Sequence, residues 1–139
     1  MNLGNHLPED TYQALTEAAL EARGQAYAPY SNYYVGAALI TENGDIYRGC
    51  NIENASYGLT NCAERTAVFT AIADTKSKIH ALVLVTKGGG MPCGACRQVL
   101  NEFNPQMLIY CVDVDGQLKH QTTLDTLLPK AFGPHSLEA

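Results

Sequence analysis

The stretch HALVLV, residues 80–85, sets the strongest constraint on how this chain folds. After its first residue it is apolar without a break, the pattern of a strand covered on both faces. Such a strand needs one layer above it and another below. The flanking sequence supplies both. LPEDTYQALTEAALEARGQA sets Tyr12, Leu15, Ala19, Ala22 and Ala26 at helical spacing, with Pro8 and two acids in the first turn, where they suit a helix N-terminus. CAERTAVFTAIA and CGACRQVLNEF read as further helices, the second stopped by Asn104-Pro105. YVGAALIT and IYRGCNI are short β runs joined by ENGD, whose Asn43-Gly44 pair is a hairpin signal. MLIYCVDV and QLKHQTT form a second such unit around Asp115-Gly116, and LDTLLP is a last short helix before the tail KAFGPHSLEA. The central strand–helix–strand run predicts parallel pairing through a right-handed crossover, with antiparallel hairpins on either side. The expected fold is therefore α/β: one domain over residues 1–139, in three α/β/α layers around a five-stranded mixed sheet.

Charge narrows the partners. The net charge is −5, and the nine Lys and Arg are scattered rather than gathered into a stripe. A chain that grips a nucleic-acid backbone needs such a stripe, so no nucleic acid is expected as partner. No run of apolar residues is long enough for a membrane span, and the N-terminus shows no secretory pattern. The expected compartment is the cytoplasm, and the expected partner a small neutral molecule. The five cysteines are an odd number, which argues against a disulfide framework in a reducing compartment. Cys50 and Cys111 sit inside apolar runs and are expected to be small buried hydrophobes. The triple glycine at 88–90 has no Gly-Lys-Ser/Thr after it and reads as a flexible connection, not a phosphate loop.

The other three cysteines carry the chemistry. In TNCAERTAVF, Cys62 and Glu64 are two residues apart, a spacing that points them to nearly opposite sides of a helix in mid-course. They serve one site only if it lies off the helix end. PCGAC places Cys93 and Cys96 at the start of the next helix, also after a loop that follows a strand, where α/β sheets form sites. Two helix N-termini aimed at one spot would join Cys62, Cys93 and Cys96, and would favour thiolate over thiol. Three soft ligands with no fourth is the donor set of an open zinc site, whose water is acidified near neutral pH. Glu64 can then exchange a proton with that water without ligating the metal. Three thiolates outweigh the charge of Zn²⁺, so a positive group nearby is expected. Arg65 and Arg97 follow the two motifs directly, and at least one of them is expected to donate to a ligand sulfur. Two other readings stand beside this one: a redox Cys-x-x-Cys pair, and a structural zinc site with a fourth ligand from Cys50, Cys111 or a histidine.

NCAERTA with PCGACRQV resembles the zinc-dependent cytidine deaminases, whose Cys or His, Glu and Pro-Cys-x-x-Cys pattern belongs to a known deaminase class. AYAPYSNYYVGAAL, YRGCNIENASY and LLPKAFGP are similar to the short, homotetrameric branch that acts on free nucleosides, and the likeness runs from about Leu15 to Leu137. The resemblance implies one Zn²⁺ per subunit on Cys62, Cys93 and Cys96, with Glu64 as proton shuttle. It implies hydrolysis of cytidine and deoxycytidine to uridine and deoxyuridine with release of ammonia, a pyrimidine-salvage reaction. Glu64 would protonate the ring at N3, hydroxide would attack C4, and ammonia would leave with a proton delivered through Glu64. The backbone around Ala63 and Cys93 would contact the pyrimidine, and Asn51 and Glu53 the ribose 3′-hydroxyl. An amide and a carboxylate at i and i+2 of an extended segment do share one face, and a carboxylate there suits a hydroxyl and repels a phosphate. Without the resemblance, the same pair reads as a solvated loop. Phe132 would stack near the base from a neighbouring subunit, the alternative being a tail anchor in its own core, and Tyr57 would reach across the same interface or remain a surface residue. Tyr33 stands where this family usually has Phe; it keeps an aromatic for the base and adds a hydroxyl that needs a partner when buried. His135 stands in the tail where the family often has an acid, and is expected at the surface. A rival substrate within the same zinc motifs is another aminopyrimidine such as blasticidin S.

Overall fold

The apolar run at the middle of the chain lies at the middle of the sheet. A computed structural model describes residues 5–138 of the chain. Its elements in order are α1 (Glu9–Arg23), β1 (Gly36–Thr41), β2 (Ile46–Cys50), α2 (Ala63–Asp74), β3 (Ile79–Val85), α3 (Gly94–Phe103), β4 (Leu108–Val112), β5 (Leu118–Thr123) and α4 (Leu124–Leu127). Short 3₁₀ turns occupy Tyr57–Leu59 and Pro134–Leu137. The strands lie in the order β2-β1-β3-β4-β5. Only β3 and β4 pair in parallel, and α3 makes the crossover between them. The other three pairings are antiparallel. The sheet is five-stranded and mixed, as the sequence predicts.

Alternation along the three inner strands builds two separate cores. Leu39 of β1, Leu82 and Leu84 of β3 and Ile109 and Cys111 of β4 face α2, α3 and α4. Their neighbours Ala38, Ile40, Ala81, Val83, Leu108 and Tyr110 face α1 across the other side. Every residue of β1 and β4 is buried, which accounts for apolar runs without a polar face. The β2 edge is different, since only Gly49 is buried there. Cys50 is accordingly half-buried rather than fully buried as expected, while Cys111 is in the core. Helix α1 ends at Arg23 because Gly24 follows, so Ala26 lies beyond it, and Pro8 caps the helix rather than occupying its first turn.

Both hairpins close in the same way. Thr41 N–H bonds to Asp45 O at 2.9 Å and Gly44 N–H to Thr41 O at 2.9 Å, with Gly44 at φ 90°. Asp113, Gly116 and Gln117 repeat the pattern, with Gly116 at φ 82°. These are three-residue connections that need a left-handed glycine in the last position. Among the described residues, no helix is long and apolar enough to cross a membrane.

Gly49 sets the position of α2. A Cβ built there would lie 2.3 Å from Ala67 N and 2.5 Å from Ala63 O, both backbone atoms. Gly49→Ala must therefore push away the first turns of α2. We expect a loss of about 1–3 kcal/mol or more in stability, read as a lower thermal midpoint, together with weaker zinc binding because Cys62 caps the displaced helix. An unchanged midpoint and unchanged zinc affinity would show that the helix is not held by this contact.

Candidate metal centre and substrate cavity

Helices α2 and α3 both begin at the C-terminal side of strands, and each begins with a cysteine. Cys62 is the N-cap of α2 and Cys93 the N-cap of α3, both with extended backbone. The Cys93 sulfur accepts from Cys96 N–H at 3.5 Å, a cap made by sulfur where Ser or Asp is usual. Because the caps sit at adjoining helix ends, the sulfurs converge: Cys62 Sγ and Cys93 Sγ are 4.0 Å apart, and the ligand atoms of Cys62, Cys93 and Cys96 all lie within 4.8 Å of one another. Tetrahedral zinc with Zn–S bonds of about 2.3 Å needs sulfurs roughly 3.8 Å apart. The three residues present therefore fit zinc in both donor type and spacing. No other His, Cys, Asp or Glu cluster among the described residues could hold a metal. Cys50 and Cys111 stand outside this cluster, and no histidine enters it, which removes the donors a four-ligand structural site requires.

The electrostatics favour anionic sulfur at Cys62. Hydrogen bonding from the Cys96 thiol, and then from the Arg65 guanidinium, holds the Cys62 thiol down to about 5. The Cys96 thiol, which donates to Cys62 and is buried, is held well above its ordinary value. Arg65 Nη2 lies 3.2 Å from Cys62 Sγ and 3.4 Å from Thr60 O. Arg97 does not join it. Its Nε donates to Pro92 O at 2.8 Å and its Nη1 to Leu127 O at 3.0 Å. The two arginines thus divide the expectation: Arg65 reaches a sulfur, while Arg97 ties the loop before Cys93 to the end of α4. Arg65→Gln should weaken zinc binding by roughly tenfold to a hundredfold, whereas Arg97→Gln should lower the thermal midpoint with much less effect on zinc affinity. Competition titration with a chromogenic chelator checks both; equal zinc affinities in the two variants would contradict the division.

Glu64, in the first turn of α2, is 4% exposed. Burial first, and then the negative charge on Cys62, push its carboxyl above the ordinary carboxylate range. A carboxyl pushed upward in this way is suited to proton transfer. Its side chain opens onto a cavity of about 270 Å³ whose lining includes Tyr33, Asn51, Glu53, Cys62, Ala63 and Cys93. The i, i+2 pair that looked wrong for a helix face therefore works at the helix end. The cavity is near the lower size range for small-molecule sites.

Asn51 and Glu53 share one face, as their extended segment predicts, and both line the cavity. Asn51 Nδ2 donates to Tyr33 O at 2.8 Å, and its Oδ1 accepts from Val35 N–H at 3.0 Å. Tyr33 is half-exposed on the cavity wall. Phe132 lies outside this cavity and is 60% exposed, so it is not an anchor in its own core. His135 is exposed, as expected. Ser31, Thr86 and Met91 also line the cavity and were not singled out from sequence. The available signals were position alone: Thr86 follows the last residue of β3, and Met91 precedes Pro92-Cys93.

Comparison with known proteins bears on the same region. Residues 9–112 match the family described as the cytidine and deoxycytidylate deaminase zinc-binding region. A cytidine deaminase of Sporosarcina psychrophila is 49% identical over 128 residues, covering 90% of this chain and 93% of that protein. One from Mycobacterium tuberculosis is 40% identical, covering 91% and 93%. The crystal structure of a cytidine deaminase from Burkholderia pseudomallei superposes with a TM-score of 0.82 at 49% identity, over 86% of this chain and 98% of that one.

Proposed function

Because the chain belongs to the zinc-dependent cytidine deaminases, we propose that it takes free cytidine or deoxycytidine into the cavity beside Cys62 and deaminates it with Glu64 as proton carrier. It is a hydrolase of the cyclic amidine C–N bond, and cytidine is its substrate. The observation that carries the residue assignment is the buried Glu64 opening onto a cavity that also contains two of the three clustered sulfurs.

Cys62, Cys93 and Cys96 hold the zinc in this reading. When bound, zinc supplies a Lewis acid that lowers the pKa of water toward neutrality. The chain's own groups do the rest. Glu64 presents its proton to ring N3, which makes C4 electrophilic, and takes a proton from the water that adds at C4. It then delivers that proton to the exocyclic nitrogen and takes the remaining proton from the new C4 hydroxyl as the C4–N bond breaks, so that ammonia and uridine leave. Atoms balance, since one water is consumed and Glu64 ends as it began. The walls formed by Val35, Leu84 and Met91 exclude bulk water from the ring. Backbone groups around Ala63 and Cys93 contact the pyrimidine, Tyr33 packs on it, and Asn51 and Glu53 take the ribose 3′-hydroxyl.

The assembly is read as a cytoplasmic homotetramer of single-domain subunits with shared active sites. The Phe132 carbonyl accepts from Gln98 Nε2 at 2.8 Å and Asn101 Nδ2 at 3.5 Å, which fixes the tail backbone on α3 while the ring stays exposed. An exposed ring on a fixed backbone is suited to a neighbouring subunit's site, and exposed Tyr57 and Phe69 give further apolar surface. A panel of cytidine, deoxycytidine, CMP and blasticidin S, each with and without a chelator, tests the substrate reading. Cytidine and deoxycytidine should be turned over and lose turnover with chelator, with CMP and blasticidin S far slower. CMP turned over as fast as cytidine would contradict the nucleoside reading.

A further inference from the structure

We propose that Ser31 is a positioning residue for sugar recognition: its hydroxyl fixes the Glu53 carboxylate and the Tyr33 backbone together, so that Glu53 retains one acceptor position, directed to a single sugar hydroxyl. This rests on the reading that Glu53 contacts the ribose.

A carboxylate offers about four acceptor positions. Glu53 Oε1 accepts from Tyr30 N–H at 2.9 Å and Ser31 N–H at 3.1 Å. Oε2 accepts from the Ser31 hydroxyl. Three positions are filled by the protein, which leaves one on Oε2. Ser31 Oγ, having given its proton to Glu53, accepts from Tyr33 N–H at 3.0 Å. Tyr33 is thereby held at both ends, its N–H by Ser31 and its carbonyl by Asn51 Nδ2 at 2.8 Å. Ser31, Tyr33, Asn51 and Glu53 all line the cavity. The Ser31 bond is also the first cause that holds the Glu53 carboxyl below its ordinary value, which keeps it an acceptor at neutral pH. One free acceptor on an otherwise saturated carboxylate takes one hydroxyl donor, and an ether or ester at that sugar position leaves it unpaired. Alanine at position 31 removes the only proton that reaches Oε2 among the described residues, while threonine keeps it.

The test compares kcat and KM for cytidine and 3′-deoxycytidine in the wild type, Ser31→Ala, Ser31→Thr, Glu53→Gln and the Ser31→Ala/Glu53→Gln double variant. Ser31→Ala should raise KM for cytidine about tenfold with kcat within about twofold, as loss of a hydrogen bond that orients a charged acceptor predicts. KM for 3′-deoxycytidine should barely move, Ser31→Thr should restore cytidine binding, and the double variant should match Glu53→Gln. A Ser31→Ala loss equal for both nucleosides, or additive with Glu53→Gln, would overturn the positioning role while leaving the Glu53 reading intact. A Glu53→Gln variant that loses equally on both nucleosides would overturn the Glu53 reading itself and the proposal with it.

Discussion

Replacing Glu64 by glutamine is expected to leave fold and zinc content unchanged and to lower cytidine turnover by roughly four orders of magnitude. Glutamine matches the shape of the side chain but cannot hold and return a proton. The substitution is otherwise mild. Glu64 is buried at the start of α2, and burial already opposes its charged form, so a neutral side chain fits the same place without a new desolvation cost. Its loss should therefore appear in kcat and not in the thermal midpoint. Turnover, zinc content and thermal melting measured on one preparation separate these effects. Turnover near the wild-type value in the glutamine variant would remove Glu64 from the reaction.

Cys96→Ala should abolish both zinc retention and activity, and should also destabilise the protein. Cys96 is fully buried in the first turn of α3, and its N–H makes the Cys93 cap, so the side chain is placed before any metal arrives. Without it two sulfurs remain, too few to hold zinc against water. A ligand bound at a thousand times its dissociation constant contributes about 4 kcal/mol to the folded state. For a chain of this size that is a midpoint roughly ten degrees lower. The alanine variant should melt near the chelator-treated wild type, and added zinc should not rescue it. A variant that retains one zinc per chain and normal turnover would refute the ligand assignment.

The sequence disclosed the sheet centre and the metal centre because both depend on local patterns. An apolar strand needs cover on both faces wherever it lies, and Cys62, Cys93 and Cys96 are placed by helix starts that the motifs themselves mark. The features it left open depend on contacts between distant segments. Arg97 follows its motif just as Arg65 does, yet the end of α4 offers it the Leu127 carbonyl and the sulfur goes to Arg65 alone. Asn51 and Glu53 were placed on one face correctly. Their engagement with residues 30–35 was not visible, because it arises from a bridge between Tyr27 and Ile52 that aligns the two segments. Cys50 reads like a core residue from its neighbours, but β2 is the sheet edge and leaves it half-buried. Phe132 shows the opposite case: a core anchor is one reading of its place in the tail, but its ring is exposed.

The most direct test of the account is a titration of zinc into chelator-stripped protein with uridine and ammonia both measured. Turnover of cytidine should rise in proportion to bound zinc, level off at one zinc per chain, and give uridine and ammonia in equal amounts. Full turnover by zinc-free protein, or uridine formed without matching ammonia, would contradict it.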